Sequence, residues 1–106
     1  MAAYMVVIAQ IPEANEKVIE YGRRTAPLIA KFGGEYLLRG GPVKVLEGEW
    51  PQRRRMVVSK WPSVEAIEAF WNSEEYQTVN KPIRQGTGIY DVGVFSDQYT
   101  PPPVKK

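Results

Sequence analysis

The chain has 106 residues, of which 43% are hydrophobic, 25% charged and 11% aromatic, a composition typical of one globular domain. Its 14 Lys and Arg against 12 Asp and Glu give a formal charge of +2, and Lys105 and Lys106 supply both unit charges, so nucleic acid is not an expected partner. The chain contains no Cys and no His, which excludes thiol nucleophiles, disulfides, Cys/His metal sites and imidazole general bases.

No apolar run approaches the roughly 18–20 residues that a membrane span needs, and the first residues lack the basic start of a secretory signal. We therefore expect no membrane partner and a cytoplasmic location. The side chains left for chemistry are carboxylates, hydroxyls, amides, Lys and Arg. From these we expect a function that uses no metal ion and no organic cofactor.

Residues 4–11 predict the first strand, because β-forming residues occupy both alternating positions. A strand of this kind needs cover on both faces. Asn15 is the predicted N-cap of a helix with apolar residues at helical spacing, and Gly33 and Gly34 are predicted to end it. Pro27 lies inside that helix and predicts a kink or one opened hydrogen bond.

The rest of the chain predicts further strands, two more helices and a tail. The predicted elements are a strand over 35–38, a bulge or tight turn at 39–42, an extended piece over 43–49, a strand over 56–61, a helix capped by Ser63, a short helix from Ser73 and a strand over 88–95. Residues 97–106 contain three consecutive prolines and are predicted to form an extended tail outside a domain of residues 1–96.

The predicted order β-α-β-β-α-β is that of the ferredoxin-like α+β fold, an antiparallel sheet with both helices on one face. The first and last strands are apolar on both faces, so the sheet face opposite the helices needs cover. A second copy, packed by a two-fold axis into an α+β barrel, is the simplest cover. We therefore expect a homodimer that forms through the sheet face.

Four motifs occur in order along the chain: GGEYLLRGG at 33–41, LEGEW at 46–50, WPS at 61–63 and WNSEEY at 71–76. In these motifs the sequence resembles the DUF1330 family, over about residues 4–95. The resemblance implies a dimeric α+β barrel and defines no function. Relatives in the wider superfamily, among them haem enzymes, monooxygenases, muconolactone isomerases and cyclases, place small and often aromatic ligands between sheet and helices. Activities that depend on His are not expected here, because the chain has none.

Two arginines are candidate anchors for a ligand anion. Arg39 ends a predicted strand directly before two glycines, which suits a forked pair of hydrogen bonds to a carboxylate or phenolate. Alternatively, it forms an ion pair with Glu47 or Glu35. Arg84 follows the short helix, where it either reaches over the end of the barrel or is a solvated loop charge.

Two carboxylates are candidate general acids or bases. Asp91 shares a strand face with apolar residues, where desolvation would raise its pKa. Alternatively, it lies at a solvent-facing or dimer-rim position and pairs with Arg84 or Lys60. Glu47 precedes Trp50 closely, which predicts an acid beside an aromatic wall that also contacts the ligand. The alternative is an exposed turn with Trp50 covering the barrel mouth or the partner.

Most aromatic rings are expected in the core, but Tyr36 and Tyr76 are predicted to reach a pocket. There Tyr36 would polarise a carbonyl and Tyr76 would bind the ligand. Together these residues predict a small-molecule-binding protein, acting as a cofactor-independent isomerase, cyclase or lyase by proton transfer on a small carbonyl, phenolic or lactone-like compound. The alternative is a non-catalytic ligand-binding or stress-associated dimer.

Overall fold

A computed structural model describes residues 2–13, 15–51, 54–98 and 101–104. Its elements are β1 (Ala3–Gln10), α1 (Glu16–Lys31), β2 (Glu35–Gly40), β3 (Arg54–Trp61), α2 (Val64–Trp71), a π-helix (Tyr76–Asn80), α3 (Lys81–Ile83) and β4 (Ile89–Ser96). The strands form one antiparallel sheet in the order β2-β3-β1-β4. This arrangement confirms the predicted ferredoxin-like α+β fold. No helix in the described part of the chain is long and apolar enough to cross a membrane.

Both predicted N-caps are confirmed. The Asn15 side chain accepts a hydrogen bond from the Val18 amide at 3.1 Å, and the Ser63 hydroxyl accepts one from the Ala66 amide at 3.1 Å. Each cap satisfies an amide that the first helical turn leaves without a partner. α1 runs through Pro27, which lies on its exposed side.

The core lies between the helices and one face of the sheet. It contains Ala3, Met5, Leu28, Ile29, Trp61, Ile67, Phe70 and Tyr76. Because α1 supplies Ile29 and α2 supplies Ile67, both helices pack on the same face. Gly34 joins α1 to β2 at a point where a Cβ would come within 2.7 Å of the Ile29 and Trp61 side chains. Only glycine fits this close approach without repacking.

The opposite face of the sheet is apolar and uncovered in the single chain. The β1 residues on this face are Tyr4, Val6, Ile8 and Gln10, which lie beside Phe95, Gly93, Asp91 and Ile89 of β4. Ile89 is 70% exposed, Phe95 56% and Leu38 of β2 53%. The face that the sequence predicted to need cover is therefore the face that the helices leave open.

The predicted extended piece over 43–49 is wrong. β2 ends at Gly40, whose φ of 138° directs the chain away from the sheet, and residues 41–51 form a loop without regular secondary structure. Val43 and Leu46 are fully or almost fully exposed there. The bulge also falls earlier than predicted, between Tyr36 and Leu38. Of the predicted tail, residues 99, 100, 105 and 106 lie outside the described residues.

Candidate functional site

A cavity of about 250 Å³ lies between α1 and the helix-facing side of the sheet. The sheet contributes alternate residues of β1, while α1 contributes one face at helical spacing. Its wall consists of Met5, Val7, Ala9, Ile11, Val18, Tyr21, Gly22, Thr25, Ile29, Tyr36, Arg39, Gly40, Arg55, Val57, Arg84 and Tyr90. The lining is therefore mostly apolar, with a small set of polar groups, as is usual for small-molecule sites.

All the charged groups in the wall are arginines. Arg39 comes from β2, Arg55 from β3 and Arg84 from the turn after α3. No Asp or Glu within the described ranges contributes to the wall. The sign of the charge favours an anionic ligand.

Arg84 is the buried member of the three, with 7% of its surface exposed. Its guanidinium carbon lies 4.3 Å from the centre of the Tyr90 ring and 5.5 Å from that of Tyr21. Cation–π attraction to two rings offsets part of the cost of burying the charge. In the described part of the chain the ion pairs are those of Glu20 with Arg23 and Arg24, so no carboxylate neutralises Arg84.

The turn that carries Arg84 is held to β4 by a hydroxyl pair. The Thr87 amide donates to the Arg84 carbonyl at 3.1 Å, and the Thr87 hydroxyl lies 2.6 Å from the Tyr90 hydroxyl. These contacts fix both the arginine backbone and the tyrosine beneath its guanidinium. The cation is thus pre-positioned before any ligand arrives.

The π-helix directs two polar side chains towards α1. The Tyr76 hydroxyl lies 2.8 Å from the Tyr21 hydroxyl, and the Asn80 amide donates to the Thr25 hydroxyl at 3.1 Å. Tyr76 and Asn80 are both buried, and their four-residue spacing places them on one side. π-helical turns occur often at functional sites, and this one lies behind the cavity wall, where it contacts the wall residues Tyr21 and Thr25.

Tyr36 in the cavity wall and Tyr76 behind it both stay neutral at physiological pH. Burial raises the pKa of Tyr76 well above the ordinary tyrosine range, with Tyr21 adding to the rise and the Arg84 guanidinium opposing it. Burial also raises the pKa of Tyr36, against the opposing charge of Arg39, whose guanidinium lies 4.2 Å from the ring centre. Both hydroxyls can therefore donate hydrogen bonds but are poor bases.

Three of the predicted site residues, Tyr36, Arg39 and Arg84, line the same cavity. Tyr76 does not line the cavity: it is buried behind the wall, where its hydroxyl contacts that of the wall residue Tyr21, and its predicted ligand role stays a prediction. Trp50 lies at the end of the 41–51 loop, where its indole N–H donates to the Arg54 carbonyl at 2.8 Å. The predicted ligand role of Trp50 gains no support from this position and stays a prediction.

The two predicted proton-transfer residues lie away from the cavity. Glu47 is exposed on the 41–51 loop, and Asp91 is exposed on the open sheet face, beside Ile8 of β1. Neither forms an ion pair with the partners predicted for it, within the residues described. Their catalytic roles stay predictions.

The sequence interpretation missed Tyr21, Arg55 and Tyr90. Tyr90 alternates with Val92, and Arg55 with Val57, so each belongs to the apolar, helix-facing parity of its strand. That alternation is visible in the sequence, but which of the two faces meets the helices depends on register.

Arg84 and Tyr90 also border an adjoining open groove of about 480 Å³, which is more polar and includes Gln77 and Lys81.

Among the residues described, no group of three acidic side chains could hold a metal ion. The polar side chains in the cavity wall are the three arginines, Tyr21, Tyr36, Tyr90 and Thr25. This set of donors, with no acceptor carboxylate, suits the recognition of carboxylate or phenolate oxygens.

Comparisons with known proteins identify the fold and its family. The family model described as "Domain of unknown function (DUF1330)" matches residues 2–97. Among solved structures, the RPA0582 protein of unknown function from Rhodopseudomonas palustris is similar at 17% identity, covering 93% of this chain and 84% of that one, with a TM-score of 0.71. SnoaB, a cofactor-independent oxygenase from Streptomyces nogalater, is similar at 14% identity, covering 96% and 98%, with a TM-score of 0.65. No curated protein matches. At these identities the structural likeness shows the fold alone.

Proposed function

Because the chain belongs to the DUF1330 family, for which no function is defined, we propose from the chemistry of the cavity that the protein binds a small organic acid as its anion. The observation that carries this proposal is Arg84, a buried cation in an apolar cavity with no carboxylate partner in the described part of the chain. The ligand supplies the missing negative charge.

Burial of the Arg84 guanidinium carries a desolvation cost. An ion removed from water loses several kcal/mol unless a counter-charge and hydrogen bonds compensate. The rings of Tyr21 and Tyr90 recover part of that loss, and the Tyr76 hydroxyl is a hydrogen-bond partner of Arg84, but one neutral hydroxyl neither cancels the charge nor pairs with all five guanidinium N–H groups. A carboxylate or phenolate bound beside Arg84 would accept those hydrogen bonds and neutralise the charge.

The rest of the cavity wall indicates the polarity and size of the ligand. Its walls are mainly aliphatic and aromatic, and its volume of about 250 Å³ is below the roughly 300–1,000 Å³ of drug-sized pockets. A ligand of one or two rings fits that volume. Arg39 and Arg55, both exposed, add positive charge to the cavity wall and would attract the anion from solution.

The catalytic form of this function is a cofactor-independent isomerase, cyclase or lyase acting on a small carbonyl, phenolic or lactone-like compound. Arg84 and the neutral Tyr36 would stabilise an oxyanion as it develops. SnoaB, which shares the fold, is a cofactor-independent oxygenase. Proton transfer would need Glu47, whose loop begins beside the cavity residue Gly40, or Asp91. The alternative is a non-catalytic ligand-binding protein, which needs neither carboxylate.

We also propose that a second copy of the chain covers the open sheet face. The support is the apolar character of that face, with Phe95, Ile89 and Leu38 each more than half exposed. Phe95→Arg should convert the dimer into a monomer, as measured by light scattering after gel filtration, because a buried unpaired charge opposes association. Val79→Arg, on an exposed residue of the π-helix, is the control. A monomeric wild-type protein would refute this assembly.

The ligand proposal is tested by calorimetric titration with naphthalene-2-carboxylate and with its neutral analogue naphthalene-2-methanol. The carboxylate should bind about 10- to 100-fold more tightly, since hydrogen bonds to charged groups contribute about 1.5–3 kcal/mol. Arg84→Met should remove that preference, whereas the exposed Arg23→Met on α1 should keep it. Equal binding of acid and alcohol by the wild type would refute the proposal.

A further inference from the structure

Gly22 is a glycine at a helical position where neither the backbone conformation nor the packing requires glycine. It lies in the middle of α1 and lines the cavity. Interior glycine destabilises a helix relative to alanine, because it loses more backbone freedom on folding. Among the described glycines, those with positive φ are Gly33, Gly40, Gly48 and Gly86, so the backbone at Gly22 is one that alanine adopts readily.

Packing does not require glycine at this position either. A Cβ added to Gly22 would meet no heavy atom within 4 Å, whereas one added to Gly34 would come within 2.7 Å of two side chains. A Cβ on Gly88 would come within 2.3 Å of the Gln10 carbonyl oxygen. Gly34 and Gly88 are therefore explained by the fold, and Gly22 is not.

The neighbours of Gly22 on the same helix face all carry larger side chains. Val18, Tyr21, Thr25 and Ile29 line the cavity with it, so the helix surface is lowest at Gly22. The space that a side chain would fill there belongs to the cavity. A flat ring could rest against the helix backbone at this point, while its acid group reaches Arg84.

We propose that Gly22 is a specificity-determining residue that admits a flat two-ring acid, such as a naphthalene carboxylate, in preference to a single-ring acid. This inference rests on the proposed function, because it takes Arg84 as the anchor of the acid group. A one-ring acid held at Arg84 leaves part of the 250 Å³ cavity empty and does not need the space at Gly22. A two-ring acid held at Arg84 needs the space at Gly22 for its second ring.

The test compares Gly22→Ala with the wild type in thermal unfolding and in calorimetric titrations with naphthalene-2-carboxylate and benzoate. We expect the midpoint temperature to rise by about 4–8 °C, because alanine is the better helix former. We expect naphthalene-2-carboxylate to bind about tenfold more weakly, the lower end of the effect of one added carbon in a hydrophobic pocket. Benzoate binding should change by less than about twofold, because its single ring stays clear of the added methyl group.

Two further variants separate stability from binding. Gly22→Leu should abolish naphthalene-2-carboxylate binding while the protein stays folded. Ala30→Gly, on an exposed residue of the same helix, should lower stability without changing either affinity. A less stable Gly22→Ala protein would mean that the fold requires the glycine and would overturn the inference. Unchanged naphthalene-2-carboxylate affinity would also overturn it while leaving the Arg84 result intact. Failure of the wild type to bind either acid would refute the proposed function itself.

Discussion

Replacement of Arg84 by methionine should stabilise the ligand-free protein. The side chain is 7% exposed, and methionine matches its apolar stem as far as Nε while it removes the charge. Burial costs an ion several kcal/mol, and the two cation–π contacts and the hydrogen bond with the Tyr76 hydroxyl return about 1 kcal/mol each. The difference predicts that Arg84→Met raises the free energy of unfolding by about 1–2 kcal/mol, or about 5–10 °C in midpoint temperature.

The assay is urea unfolding followed by circular dichroism, without ligand and at fixed protein concentration. Arg39→Met is the matched control, because Arg39 lines the same cavity but is exposed. That control should change the free energy of unfolding by less than about 0.5 kcal/mol. The same Arg84→Met protein should lose its preference for naphthalene-2-carboxylate, so stability and binding change in opposite directions.

A loss of more than about 1 kcal/mol in Arg84→Met would refute this reasoning. It would mean that the contacts of Arg84 with Tyr21, Tyr76 and Tyr90 stabilise the fold by more than burial of the charge costs it. Arg84 would then be a structural residue. The absence of a carboxylate partner in the described part of the chain would no longer indicate a missing ligand.

Two more predictions follow from the cavity geometry. Because burial raises the pKa of Tyr76 in the folded state, the unfolded chain releases that proton first, near pH 10, so the free energy of unfolding should fall as the pH rises above about 10. Urea titrations of Tyr76→Phe should show a shallower fall than those of the wild type or of Tyr4→Phe, and an equal slope would contradict the assignment. Glu47→Gln and Asp91→Asn should each change naphthalene-2-carboxylate affinity by less than about twofold, because both carboxylates are exposed outside the cavity and are screened by salt; a tenfold loss in calorimetry would place that carboxylate at the ligand.

The sequence was sufficient for the fold because its local and long-range signals agree. β1 is apolar at both parities, and Asn15 and Ser63 cap helices where the apolar periodicity begins. The prediction of an extended piece over 43–49 is wrong for a physical reason. Its alternation is that of a strand, but Gly40 has already turned the chain away from β3, so no partner strand is available to it.

The site was only partly predictable from the sequence. Arg39 was predicted as a ligand anchor because it precedes two glycines, and Arg84 because it follows the short helix. Both line the cavity. Asp91 was assigned to the correct strand face together with Phe95, but that face turned out to be the one opposite the helices. Its neighbour Tyr90, of the other parity, lies at the cavity instead. Choosing between the two faces requires the sheet register and the helix positions, which one strand does not encode.

The most direct measurement is a crystal structure of the protein with naphthalene-2-carboxylate. The proposed function predicts a carboxylate oxygen at about 2.7–3.2 Å from the Arg84 guanidinium nitrogens, with the rings inside the cavity against α1 at Gly22. A ligand bound on the open sheet face, or in the groove near Lys81 with Arg84 uncontacted, would contradict it.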